Sequence, residues 1–164
     1  MYKSHLSNIK KIINDLDLNS SLESICNYLK KNIDGYDWVG FYFHDKLNKE
    51  LELKAFSGLP TEHTKIPFGK GVCGQTAKSN KHIIVSDVSK EVNYISCNIN
   101  VKSEIVVPLF LNNINIGQID IDSNYPNRFL KVDLEFLTNI NCLLYTSDAA
   151  DDLLCVDLGG RRII

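Results

Sequence analysis

Apolar residues recur at helical spacing over residues 4–15, where Leu6, Ile9, Ile12 and Ile13 share one stripe, and again at Leu22, Ile25, Cys26, Leu29 and Ile33. Ser20 with Glu23 reads as a capping box opening the second of these helices. Cys26 falls on its apolar face as a small buried hydrophobe. The stretches DWVGFYFHD and LELKAF are aromatic and aliphatic, and the polar residues 46–50 between them predict an antiparallel hairpin. A loop over 57–70, a short helix over 71–79 and a strand in HIIVSD follow. Residues 89–101 show no clear period and read as an irregular loop. EIVVPLFL and INIGQIDID flank Asn112 and Asn113, a good turn pair for a second hairpin. A last amphipathic helix begins near Lys131, with Leu134, Leu137 and Ile140 on its buried stripe.

Helices at both ends, two hairpins and one short internal helix predict an α+β domain built on a mainly antiparallel central sheet. The pattern breaks at Cys142. From there CLLYTSDAADDLLCVDLGGRRII has no alternation and resembles a translated sequencing adapter. The domain is therefore expected over residues 1–141, with 142–164 an artefactual or disordered tail.

A chain of 164 residues, 44% hydrophobic and 23% charged, can bury one core of its own. A net charge of −2 supplies no general attraction to nucleic acid or anionic lipid, and neither is expected as a partner. Lysines and aspartates interrupt the apolar positions of the first twenty residues, unlike a signal peptide, and a cytoplasmic location is expected. The five cysteines, Cys26, Cys73, Cys97, Cys142 and Cys155, are odd in number and lack CxxC or CxxH spacing. No structural metal site is expected, which leaves core filling or redox chemistry.

The segment PFGKGVCGQTA places Gly69, Gly71 and Gly74 in a G-x-G-x-x-G pattern. A dinucleotide fingerprint needs a strand directly before the glycines and a parallel βαβ context, and neither is evident. The alternative is a glycine frame leading into a helix whose first turn holds Cys73, where the helix dipole would favour a thiolate. Cys97 lies in the irregular loop, and two thiols suit redox chemistry because one can attack and the other resolve. In GQIDID, Ile119 and Ile121 face one side of the strand while Gln118, Asp120 and Asp122 face the other. That second face is either ordinary solvated surface or the wall of a pocket for a cationic group. Glu104 could join it, and clustered carboxylates would leave one protonated and able to donate. Trp38 and Tyr42 flank Gly40 on one strand face, as core or as the wall of a shallow pocket.

Together DWVGFYFHD, KIPFGKGVCGQTA, ISCNINVKSEIVVPL and IGQIDIDS resemble the free methionine-(R)-sulfoxide reductases, enzymes built on a single GAF domain. The resemblance implies that Cys97 attacks and Cys73 resolves, that Glu104, Asp120 and Asp122 bind the substrate's polar groups, and that Trp38 and Tyr42 line its methyl-sulfoxide end. It further implies no metal or organic cofactor, recycling by thioredoxin and a homodimer. Many members carry a further cysteine where this sequence has His63. A non-catalytic GAF small-molecule sensor and a thiol redox sensor are the alternatives.

Overall fold

The computed structural model describes residues 1–95 and 98–145. Two helices, α1 (Lys3–Asp15) and α2 (Leu18–Asn32), precede a hairpin of β1 (Trp38–Asp45) and β2 (Glu50–Ser57). A short strand β3 (Lys65–Pro67), helix α3 (Gly71–Ser79) and strand β4 (Ile83–Val85) follow, then a single 3-10 turn at Val88–Lys90. The second hairpin joins β5 (Ser103–Leu111) to β6 (Ile114–Ser123), and α4 (Lys131–Leu144) closes the described chain. The strands form one six-stranded sheet in the order β3-β2-β1-β6-β5-β4, with every neighbouring pair antiparallel.

Local chemistry accounts for most of these elements. Asn112 and Asn113 both take positive φ, 50° and 65°, the backbone that a tight hairpin with matching strand twist requires. The start of α2 departs from the sequence reading. Asp17, not Ser20, is the N-cap: its carboxylate accepts from the Ser20 backbone N–H at 3.0 Å and from the Ser20 hydroxyl at 2.9 Å. An aspartate placed one turn earlier lengthens the helix and brings its charge to the positive end of the dipole. The loop expected over 57–70 contains β3, an edge strand too short for alternation to reveal. Helix α4 continues past Asn141 to Leu144, whose side chain is buried with the core. Tyr145 caps the helix, and residues 146–164 lie outside the described residues.

Alternation divides each central strand between two packed layers. Val39 and Phe41 of β1, Ile105 and Val107 of β5, and Ile119 and Ile121 of β6 face α1, α2 and α4, where Ile25, Leu29, Leu137 and Ile140 complete the larger core. Cys26 lies there fully buried, as its helical phase predicts. The opposite face carries Trp38, Tyr42 and Val106, covered by Val72, Cys73 and Ala77 of α3 and by Leu51 and Ile66. This second, smaller core holds the chemistry. Among the described residues no helix is long and apolar enough to cross a membrane.

Candidate active site

Strand register assembles the site from sequence-distant parts. Across β1 and β6, Trp38 pairs with Asp122, Gly40 with Asp120 and Tyr42 with Gln118. Across β5 and β6, Glu104 pairs with Asp122 and Val106 with Asp120. Three adjacent strands therefore present two aromatics, two aspartates, a glutamine and a glutamate on one face. Helix α3 lies across that face and lowers Cys73 onto it. Asp120 and Asp122 are each 1% exposed and Glu104 4%, so the alternating polar side of GQIDID is a covered wall and not a solvated surface.

The glycines of PFGKGVCG serve this placement. Gly69 and Gly71 adopt positive φ, 91° and 65°, to turn the chain into α3. A Cβ on Gly74 would sit 2.6 Å from the Pro67 carbonyl oxygen, so only glycine lets the helix approach the preceding loop so closely. Every strand pair among the described residues is antiparallel, and the pattern frames a cysteine, not a phosphate. The Gly71 backbone N–H donates to Asn93 Oδ1 at 2.8 Å, and Asn93 Nδ2 donates to the Gly69 carbonyl at 2.9 Å. Asn93 thus caps α3 from a distant loop, since Lys70 at the N-cap position makes no side-chain cap. Nothing in the sequence marked Asn93, an asparagine among irregular loop residues.

Cys73 Sγ lies 3.2 Å from Asp120 Oδ2 and 3.9 Å from Glu104 Oε1, donating to the carboxylates. The sulfur at the start of α3 thus faces carboxylate oxygens as well as the helix N-terminus. Gln118 Nε2 donates to the Cys73 carbonyl at 3.2 Å and fixes the helix over the strand. Burial raises the Glu104 carboxyl well above its ordinary range, and the charges of Asp120, Asp122 and Glu91 raise it further. Asp120 is pushed up to about 6, chiefly by burial, while hydrogen bonds from Glu104 and Cys73 pull it back. The two carboxyls are thus both raised, Glu104 the more strongly, which favours a proton shared within the pair.

A cavity of about 10 Å³, lined by Glu104, Asp120, Cys73, Tyr42, His63 and Lys70 among others, opens at this cluster. Tyr42 donates from its hydroxyl to the His63 carbonyl at 2.9 Å, and Trp38 Nε1 donates to the Leu59 carbonyl at 3.0 Å, so both aromatics tether the loop after β2. Tyr42 lines the cavity. Trp38 does not: its ring lies over Gly40, where a Cβ would stand 2.3 Å from the indole, and stacks on Phe56 at 5.8 Å. Asp122 is buried beside it across the ladder, contributing charge to Glu104. Cys97 lies outside the described residues.

The GAF domain family model matches residues 15–140. GAF domain-containing protein A of Dictyostelium discoideum is 41% identical over 76% of this chain and 77% of its own length. Free methionine-R-sulfoxide reductase of Escherichia coli is 32% identical over 74% of this chain and 72% of its own. The X-ray structure of free methionine-R-sulfoxide reductase from Neisseria meningitidis in complex with its substrate superposes with a TM-score of 0.83 at 32% identity, covering 99% of this chain and 92% of that one. Matched over most of its length in sequence and in fold, this chain belongs to the GAF domain family, among the members named free methionine-R-sulfoxide reductase.

Proposed function

We propose that this protein reduces free L-methionine-(R)-S-oxide to L-methionine through the thiols of Cys97 and Cys73. The observation that carries the reading is the buried Glu104–Asp120 pair facing a cysteine in a shielded cavity, an environment that raises both carboxyls. A protonated Glu104 can donate to the sulfoxide oxygen and make its sulfur electrophilic, while Asp120 and Asp122 accept from the substrate ammonium group. The Cys97 thiolate attacks. Oxygen passes to the cysteine sulfur, which becomes a sulfenic acid as the substrate sulfur gains two electrons and methionine leaves. Cys73 then condenses with the sulfenic acid, forming a disulfide and releasing water, and thioredoxin reduces that disulfide by exchange.

His63, where many relatives place a further cysteine, lines the cavity and has no thiol with which to form a disulfide. Resolution thus falls to Cys73, and displacement of its thiol from Asp120 frees it for that role. A cytoplasmic location and a homodimer complete the proposal. The test is a coupled assay with free methionine-(R)-sulfoxide, thioredoxin and thioredoxin reductase. Turnover that disappears in Cys97→Ser supports the reading. Absence of turnover in the unaltered protein overturns it in favour of a ligand or redox sensor.

A further inference from the structure

We infer that Cys73, Glu104 and Asp120 form a binding site for a divalent cation of the zinc type, one sulfur and two carboxylate oxygens converging on a small buried cavity. Their ligand atoms all lie within 4.8 Å of one another. Zinc bound tetrahedrally, with bonds of about 2.3 Å to sulfur and about 2.0 Å to oxygen, sets its sulfur and oxygen ligands about 3.5 Å apart. The observed sulfur-to-oxygen separations, 3.2 and 3.9 Å, bracket that value. The three side chains come from α3, β5 and β6, so the spacing is fixed by packing and not by a flexible loop.

Two further observations point to a cation. The three residues line a cavity of about 10 Å³, close to the size that holds about one water or one bare metal ion. Asp120 is 1% exposed, yet among the described residues its Oδ1 has no donor other than the neighbouring Glu104 carboxyl, a costly condition for two buried carboxylates that a bound cation would relieve. The donor set selects among metals: magnesium and calcium prefer cages of oxygen, whereas a thiolate with two carboxylates suits zinc or cobalt. Binding would displace the thiol proton of Cys73 and the proton held by the carboxyl pair, with no change of oxidation state. Three protein ligands leave a fourth position to water.

The ion would occupy the groups assigned above to substrate and would compete with it. That consequence rests on the reductase reading; the metal site does not. The experiment titrates cobalt(II) into protein reduced with a thiol-free phosphine. One equivalent should raise a near-ultraviolet thiolate-to-cobalt band, zinc should displace it, and Cys97→Ser should retain it. Cys73→Ser should abolish the band, and Asp120→Asn should weaken binding at least tenfold. A protein that shows no saturable band, or a band that survives Cys73→Ser, overturns the inference. Methionine release in a single turnover of pre-reduced enzyme separates the two readings. Release that zinc blocks, with the block relieved by added substrate, supports the site and its consequence. A cobalt band in a protein that releases no methionine without metal leaves the site standing while the reductase reading falls.

Discussion

Replacing Asp120 with asparagine should make this protein more stable at neutral pH while impairing its chemistry. Asp120 titrates at about 6 in the folded chain against an ordinary 3.8. At about 1.36 kcal/mol per pKa unit, that difference of about 2 corresponds to about 3 kcal/mol of folding free energy. The sign follows from proton uptake. Between the two values the folded state holds the proton more tightly than the unfolded chain, so the stabilising contribution is complete below about pH 4 and is lost as the pH rises through about 6. The substituted asparagine is an isostere without that titration; its amide oxygen can still accept from Cys73. Urea denaturation of both proteins, with chelator and reductant present, should give equal stabilities below about pH 4 and a gain of up to about 3 kcal/mol for the variant above about pH 7. The same change removes a charged acceptor for the substrate ammonium, worth about 1.5–3 kcal/mol, or roughly a ten- to hundredfold rise in KM. A stability difference that is constant across this pH range would refute the assignment of a buried, proton-sharing pair.

Two structural substitutions test the frame that carries Cys73. Gly74→Ala places a methyl group 2.6 Å from the Pro67 carbonyl oxygen and 3.0 Å from the Gly69 nitrogen, both backbone atoms with no side-chain freedom to yield. Thermal denaturation should show a loss of about 1–3 kcal/mol, with a fall in activity as α3 shifts from the strand face. Asn93→Ala removes both side-chain bonds to the glycine turn, at 2.8 and 2.9 Å, and should cost only about 1 kcal/mol because the residue is exposed. Its larger effect should be a raised KM in the coupled assay, and an unchanged KM would show that this cap does not position the site.

The sequence alone determined what depends on near neighbours in the chain. The phase of α2 and α4, the two hairpins, the αL-tolerant Asn112 and Asn113, and the division of GQIDID into an apolar and a carboxylate side all follow from periods of 3.6 and 2 and from turn chemistry. The place of Cys73 in the first turn of a helix also follows, because glycines at 69 and 71 can take the positive-φ backbone that a tight turn into a helix requires. The grouping of Cys73 with Glu104, Asp120 and Asp122 followed from the resemblance to the reductase family.

Tertiary structure decided the rest, because burial and pairing are properties of elements far apart in the chain. Alternation shows that Asp120 and Asp122 share a face; only α3 laid across β5 and β6 makes that face dry. Dryness in turn raises both the Glu104 and the Asp120 carboxyl, and the same helix sets Cys73 against their oxygens. The register that sets Gly40 opposite Asp120 gives Trp38 its berth over the strand, away from the cavity, while Tyr42 reaches it. Asn93 becomes a helix cap only because the loop returns to α3, a contact between residues 22 positions apart that no local pattern encodes.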